Sequence, residues 1–136
     1  MAEKDLQIKK SELPGSGKGL FTKKQIRKGS RIAEYKGAIR KWEDVKDSEA
    51  DNPYIMYLTR DHVIDALPVK KAKARFANDA EGLNKRKGIV NNSIYIKDGH
   101  RVFIEALKDI PAGSEILVGY GKEYWQTIKH NKTLEK

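Results

Sequence analysis

The chain has 136 residues, of which 38 % are hydrophobic and 35 % charged, so it can build one domain with its own core but not two. It contains no cysteine, which excludes disulfides and thiolate zinc sites, and its histidines, His62, His100 and His130, are too scattered to predict a metal cluster. A net charge of +9 would ordinarily indicate nucleic acid or another acidic partner.

No apolar run approaches the roughly 18 residues that a membrane-spanning helix needs. The N-terminal sequence MAEKDLQIKK also lacks the apolar stretch of a secretory signal. We therefore expect a soluble, intracellular protein that has no membrane partner and binds no metal.

The hydrophobic pattern predicts a mainly β domain of short strands with little room for long helices. The turns between them carry the glycine or proline that turns demand, in LPGSGKG, IRKGS, KDGH and IPAGS. The predicted strands are 6–10, 20–24, 31–39, 54–58, 62–66, 89–97, 101–107 and 115–119.

Short helices are predicted at 69–78 and 122–131, where apolar residues recur at helical spacing. The polar segment 42–53 is interpreted as a loop or one loose helix, and 81–88 as an exposed loop.

The segment GSGKGLF has glycines at alternating positions, Gly15, Gly17 and Gly19, and leads into a predicted strand. Without a Cβ, the main chain there can approach a ligand closely. The segment matches neither phosphate-binding fingerprint, because no GK[ST] follows and no helix begins there. Taken alone, it is more typical of a mobile hairpin turn.

Asn78 and Asp79 stand between a predicted helix and a loop, in RFANDAEG. A side-chain amide at that point could recognise a polar edge of a ligand. Asn-Asp pairs are also common turn formers, and by itself the turn is the favoured interpretation.

Tyr35, Tyr54, Tyr95 and Tyr120 each lie in or beside a predicted strand. Such tyrosines usually bury the ring and satisfy the hydroxyl at the edge of the core, but four phenols could instead converge on one channel. Tyr120 stands between two glycines, and a strand that only had to end would not need a phenol there. Trp125, five residues later, could dock on the core, cover a ligand, or do both.

The charge is unevenly distributed along the chain. Residues 42–65 contain seven acidic and two basic residues, whereas 1–31 and 66–101 each contain nine basic and three acidic residues. An acidic segment of this kind is most often a solvated helix face or loop.

Taken in order, these segments resemble the SET-domain protein lysine methyltransferases. GSGKGLFTKKQIRKGSRIAEYKG is similar to the family's N-terminal stretch, HVIDA and RFANDA to its V-I-D-A strand and R-F-x-N-H-S segment, and DGHRVFIEALKDIPAGSEILVGYGKEYW to its closing segment. The resemblance covers about residues 7–125. It makes 1–136 a single SET domain, with 126–136 as a short C-terminal helix or tail.

The resemblance implies a β-clip fold of small curled sheets, in which the C-terminal segment threads under a preceding loop in a knot-like arrangement. It also implies transfer of a methyl group from S-adenosylmethionine to the side-chain amine of a lysine. The substrate would be a basic protein such as a histone or a DNA-associated protein. Histone methylation would place the protein in chromatin, close to nucleic acid. A eukaryotic or viral member would therefore act in the nucleus, whereas a bacterial member would be cytoplasmic. Monomer and homodimer both stay open.

The resemblance also assigns site residues. Gly17, Lys18 and Gly19 would meet the methyl donor through backbone groups. Tyr54, Arg75 and Asn78 would line its pocket, with Asp79 near the adenine and Trp125 covering the donor. Tyr35, Tyr95 and Tyr120 would line the lysine channel, with Tyr120 at the reaction centre. Val118 and Tyr95 would tune the number of methyl groups, and we expect monomethylation.

The acidic segment would help to form the peptide groove and attract a basic substrate tail. The residues that would attract this tail are Glu43, Asp44, Asp47, Glu49 and Asp51.

The sequence departs from the family pattern at two site positions. The family's usual histidine after the asparagine is Asp79, and the residue before the terminal tyrosine, commonly aspartate, is Gly119. Two other classes of function therefore remain: a basic β-module that binds nucleic acid through its tyrosines, and an inactive relative that binds peptide without methylating it. Binding of S-adenosylmethionine separates them, because the nucleic-acid module should ignore it.

Overall fold

A computed structural model describes residues 3–48, 54–69, 72–80 and 88–119 of the chain. Within these ranges the chain forms one short α-helix, α1 (Trp42–Val45), one-turn 3-10 helices at Glu3–Asp5, Lys46–Ser48 and Lys73–Phe76, and nine strands. The strands are β1 (Leu6–Lys10), β2 (Lys18–Thr22), β3 (Arg31–Glu34), β4 (Ala38–Arg40), β5 (Ile55–Thr59), β6 (His62–Asp65), β7 (Ser93–Asp98), β8 (Arg101–Ala106) and β9 (Val118–Gly119). The predicted mainly β fold is confirmed. None of the helices in the described ranges is long and apolar enough to cross a bilayer.

The strands form three small sheets, β1-β2, β3-β8-β7-β9 and β4-β6-β5. Every strand pair is antiparallel except β7 with β9, which is parallel. None of the sheets in the described ranges has more than four strands, and the main core cluster draws its residues from all three of them, so the core lies where the sheets meet.

The predicted strand 31–39 is two strands in different sheets, so this prediction was wrong. The chain leaves β3 after Glu34, and β4 begins at Ala38 against β6. Gly37 permits the change of direction, since a Cβ there would lie 2.5 Å from the carbonyl oxygen of Asp65. The break places Tyr35 between two sheets.

In the described part of the predicted helix 69–78, which leaves out residues 70 and 71, the helical residues form a single 3-10 turn, Lys73–Phe76, with extended backbone at Ala72 and Ala77 on either side. Segment 42–53 begins with α1 and a 3-10 turn, in agreement with the loose-helix alternative. The helix predicted at 122–131 and nearly all of the loop 81–88 lie outside the described residues.

The segment 115–119 contains less strand than predicted, because only Val118 and Gly119 form a ladder. Single bridges join Glu115 to Phe21 and Leu117 to Asn78. The segment therefore runs between β2, Asn78 and β7. The knot-like threading predicted for the C-terminal segment involves residues 120–136, which lie outside the described part of the chain, so it stays a prediction.

Alternation along the strands builds the main core, as in β8, where Val102, Ile104 and Ala106 are buried and the residues between them are not. A smaller cluster fixes α1 on the three-stranded sheet, with the rings of Trp42 and Tyr57 packed edge to face, 5.3 Å between centroids. The main cluster includes Leu6, Leu20, Ile32, Met56, Ile64, Ile104, Ile116 and Val118.

Candidate active site

A cleft of about 480 Å³ opens where the loop before β2 faces the 3-10 turn 73–76. Five of the residues that the sequence assigned to the methyl donor line it together, although they come from three separate parts of the chain. The lining residues are Ser16, Gly17, Lys18, Tyr54, Arg75, Phe76, Ala77 and Asn78.

The loop before β2 is closed by main-chain hydrogen bonds from Ser11 N to Gly17 O, 2.8 Å, and from Ser16 N to Leu13 O, 3.1 Å. Gly17 has φ +68°, a left-handed conformation that L side chains rarely adopt. A Cβ at Gly17 would meet no atom within 4 Å, so space alone would permit a side chain there. The glycine is therefore needed for its φ angle, and it leaves the cleft wall open.

Arg75 is, with Lys18, one of two cationic residues among the described residues that line the cleft. Its guanidinium lies 4.7 Å from the ring centroid of Tyr54 and 4.8 Å from that of Phe76, within cation–π range. Its Nη1 donates to the carbonyl oxygens of Leu67, 3.0 Å, and Ala66, 3.3 Å. Nε is buried and has no hydrogen-bond partner among the described residues, so its N–H group can donate a hydrogen bond to a ligand in the cleft.

Asn78 connects the cleft to the C-terminal segment. Its Nδ2 donates to the carbonyl oxygen of Lys18, 3.0 Å, while its own carbonyl oxygen accepts from Val118 N, 2.9 Å. The amide nitrogen is therefore committed within the protein, and it stabilises the cleft wall.

Asp79 is not among the described residues that line this cleft. Its Oδ1 accepts a 2.8 Å hydrogen bond from Asn91 Nδ2, and Asn91 Oδ1 accepts from Ala80 N, also 2.8 Å. A Cβ built on Gly119 would lie 2.6 Å from Asn91 Nδ2 and 3.6 Å from Asp79 Oδ1. The two departures from the family pattern, Asp79 and Gly119, are therefore spatial neighbours, and an aspartate at 119 would bring two carboxylates together.

Tyr35 and Tyr95 form an aromatic pair beside the cleft, with ring centroids 6.0 Å apart and planes at 86°. The Tyr35 hydroxyl donates to the carbonyl oxygen of Tyr54, 2.9 Å. Burial raises the pKa of the Tyr35 phenol, and the nearby Tyr54 and Asp65 add to the increase while Arg75 opposes it. Tyr35 is therefore a protonated hydrogen-bond donor at neutral pH and not a base.

Val118 is fully buried in the main core, opposite Ser93 in the parallel ladder, and Gly119 lies opposite Ile94. Tyr95 is the next residue of β7. Tyr120 and Trp125 lie outside the described residues.

The SET domain family matches residues 17–121, which is more than half of the chain.

The chain belongs to the SET domain family.

Two relatives illustrate its place in the family. This SET domain is 33 % identical over 132 residues to the variant-silencing SET domain-containing protein of Plasmodium falciparum, covering 89 % of this chain and 5 % of that protein. It is 34 % identical over 125 residues to histone-lysine N-methyltransferase NSD3 of Mus musculus, covering 85 % of this chain and 8 % of that protein. The chain thus spans only a small part of these relatives.

Among solved structures, the methyltransferase domain of human PR domain-containing protein 2 superposes with a TM-score of 0.67 at 24 % identity, covering 89 % of this chain and 79 % of that one. At this identity the likeness concerns the fold alone, and it agrees with the small-sheet architecture of this SET domain.

One buried polar residue of the SET domain received no role from the sequence. Glu115 is only 4 % exposed and lies beside Asn78. It belongs to GSEIL in the closing segment, so an acidic residue directly before the apolar run ILV was the available signal.

A second cleft, of about 320 Å³, also received no role. Tyr35 contributes to its lining together with Ile39, which is 56 % exposed, and His62 and His100, whose ring centroids are 4.4 Å apart.

The acidic segment of the SET domain is partly neutralised by internal ion pairs. Glu43 lies 3.0 Å from Lys46 Nζ, and the buried Asp65 accepts from Arg40 Nε at 2.8 Å. Asp44 and Asp47 form no ion pair with the described residues, and Glu49 and Asp51 lie outside them. The negative charge left for a partner is smaller than the composition alone indicates.

Proposed function

We propose that this SET domain transfers a methyl group from S-adenosylmethionine to the side-chain amine of a lysine in a basic protein. The observation that carries the proposal is the cleft that joins Gly17, Lys18, Tyr54, Arg75 and Asn78 beside an aromatic pair. Family membership and relatives named as histone-lysine N-methyltransferases support it.

The cleft suits a donor of this size and charge. Its volume of about 480 Å³ falls in the range of small-molecule sites. S-adenosylmethionine carries a carboxylate, an ammonium, a ribose and an adenine. Backbone groups at Gly17 and Lys18 would hold polar parts of the donor, and the unpartnered Nε of Arg75 would donate to one of them.

S-adenosylmethionine supplies a methyl group on a positively charged sulfur, and the lysine amine must arrive neutral to accept it. A lysine with the ordinary pKa near 10.4 is almost wholly protonated at pH 7. A narrow channel with aromatic walls disfavours the ammonium by desolvation and lowers the amine pKa. Tyr35 and Tyr95 would form such walls, and their ring faces tolerate positive charge on the amine.

Tyr120 would orient the amine lone pair at the reaction centre. Gly119, the residue before it, is paired with Ile94, the neighbour of Tyr95.

The product would be monomethyl-lysine, because the phenols and the buried Val118 limit the volume beside the amine. Mass spectrometry of the product measures this directly, and a mainly trimethylated lysine would contradict it.

The substrate would be a histone or another DNA-associated protein, methylated in chromatin if the organism is a eukaryote. Asp44 and Asp47 would steer a Lys/Arg-rich tail toward the site, while the basic remainder of the chain tolerates nearby nucleic acid.

The test is a radiolabelled methyl-transfer assay with the full chain, labelled S-adenosylmethionine and a mixture of lysine-rich proteins, run beside Tyr120→Phe. We expect label on protein lysine in the wild type and loss of most turnover in the variant. Full activity of Tyr120→Phe would remove the assignment of Tyr120.

Isothermal titration with S-adenosylmethionine completes the test. Donor binding with no label on varied basic proteins would favour either a substrate absent from the mixture or an inactive peptide-binding relative, whereas absent donor binding would favour the nucleic-acid module.

A further inference from the structure

The carboxyl group of Glu115 is buried without a cation, because none of the described lysines or arginines forms an ion pair with it. Hydrogen bonds satisfy it instead. Oε2 accepts from Ser11 Oγ, 2.7 Å, and more weakly from Asn78 Nδ2, 3.4 Å, while Oε1 accepts from Glu12 N, 2.8 Å. A buried carboxyl group is costly for a fold, so its presence indicates a positional requirement.

These hydrogen bonds join parts of the chain that are far apart in sequence. Ser11 and Glu12 lie 104 and 103 residues before Glu115, whereas Asn78 lies 37 before it. Ser11 also donates from its main-chain nitrogen to Gly17 O, 2.8 Å, and so closes the loop that lines the cleft. The carboxyl group therefore holds the loop on one side of the cleft and Asn78 on the other.

Gly19 lies directly against this carboxyl group. A Cβ at Gly19 would overlap Oε2 of Glu115 and would lie 3.2 Å from Ser11 Cβ. Gly19 is buried in β2 and is not among the described residues that line the cleft. The absence of a side chain at Gly19 therefore leaves room for the carboxyl group of Glu115.

We propose that Glu115 is a positioning residue that sets the width of the donor cleft by holding Ser11, Glu12 and Asn78, and that Gly19 is required to accommodate it. The proposal rests on the proposed function of the cleft as the donor site. Glu115 does not line the cleft and acts through these three residues.

The first experiment measures donor affinity by isothermal titration of the full chain with S-adenosylmethionine, below the unfolding temperature of each variant. Glu115→Ala should weaken binding by about tenfold, as expected for the loss of one or two hydrogen bonds. Glu115→Gln keeps the length of the side chain and an acceptor for Glu12 N, so it should retain affinity within a few-fold. Glu105→Gln, on β8, is the matched control and should bind like the wild type.

The second experiment measures the coupling between the two positions by urea unfolding. Gly19→Ala alone should destabilise the protein, because the new methyl group collides with the Glu115 carboxyl group. In the Glu115→Ala background the methyl group enters vacated space, so the double variant should be no less stable than Glu115→Ala alone.

The outcomes separate the inference from the proposed function. If the wild type binds S-adenosylmethionine and folded Glu115→Ala binds it equally well, Glu115 has only a structural role and the inference is wrong. Additive effects of the two substitutions on unfolding would also overturn it. If the wild type does not bind the donor, the proposed function fails, while the unfolding data still decide whether Gly19 accommodates Glu115.

Discussion

The hydroxyl group of Tyr35 donates a 2.9 Å hydrogen bond to the main-chain carbonyl oxygen of Tyr54. Tyr54 lines the cleft proposed to bind the methyl donor, and Tyr35 packs edge to face against Tyr95. This hydrogen bond therefore connects the proposed donor cleft to the aromatic pair that is proposed to receive the lysine.

Tyr35→Phe should lower kcat by about tenfold and cost about 1 kcal/mol of unfolding free energy. The ring is retained, but the Tyr54 carbonyl oxygen loses the hydrogen bond from Tyr35 and keeps the one from Ala66 N, 3.1 Å, and the proposed channel loses a fixed hydroxyl group. Steady-state kinetics and urea unfolding measure the two effects. Tyr57→Phe is the matched control, because Tyr57 packs on Trp42 in a separate cluster and should leave kcat unchanged. Equal kcat values for the two variants would contradict the prediction.

Arg75→Lys should weaken the binding of S-adenosylmethionine by about five- to thirtyfold. Lysine keeps the charge but loses the planar group that stacks on Tyr54 and Phe76 and donates to the carbonyl oxygens of Leu67 and Ala66. Isothermal titration gives the dissociation constant. Arg31→Lys, on β3 and remote from the cleft lining, is the control, and the same affinity in both variants would argue against a role for the guanidinium.

The loss of stability caused by a substitution of Gly119 should depend on the residue at position 79. Gly119→Ala should cost about 1–3 kcal/mol of unfolding free energy, because the methyl group displaces Asn91 from its hydrogen bonds. Gly119→Asp should cost more, since its carboxylate lies near that of Asp79.

Urea unfolding at pH 7 measures both variants. Adding Asp79→Asn should remove most of the difference between the aspartate and the alanine at position 119. If Gly119→Asp and Gly119→Ala are equally stable in the wild-type background, the repulsion is absent.

The ion pair between Glu34 and Arg101 should make stability depend on pH in the acid range. Two hydrogen bonds from Arg101, 2.7 and 3.2 Å, hold the pKa of Glu34 below its ordinary value, against a smaller opposing effect of burial. A carboxyl group with a lowered folded-state pKa stabilises the fold above its unfolded-state pKa, near 4.3. That contribution is lost as pH falls through the lower folded-state value.

The stability difference between the wild type and Arg101→Gln should therefore be constant from pH 7 to about 5 and should shrink below about pH 4. Thermal unfolding across this range tests it, with Glu34→Gln as the companion variant. A difference that persists unchanged at pH 3 would assign the effect of Arg101 to packing on Phe103 instead.

Asp44→Lys/Asp47→Lys should raise KM for basic peptides by about threefold or more at low salt and leave kcat unchanged. These two carboxylates form no ion pair with the described residues, so they remain available to a cationic substrate. Glu3→Lys/Glu105→Lys changes the net charge equally at other positions and is the control. Equal KM values for the two variants at low and high salt would rule out steering by the acidic segment.

The sequence by itself determined the local elements and the family. Alternating apolar residues and glycine turns are short-range signals, and the predicted strand 6–10 forms at Leu6–Lys10, while 62–66 forms at His62–Asp65. Motifs in a fixed order identified the SET domain, because their order and spacing can be compared with the family along the chain without knowledge of any contact in space.

Only the tertiary structure decided where strands break and what the polar residues contact. The strand predicted at 31–39 breaks because Gly37 lies against Asp65, and Asp79 turns to Asn91 beside Gly119. Gly19 lies against the carboxyl group of Glu115, which is 96 positions away in the sequence. A hydrogen bond or a steric contact depends on distances of a few ångströms in space, and residues so far apart in sequence meet only when the sheets have packed.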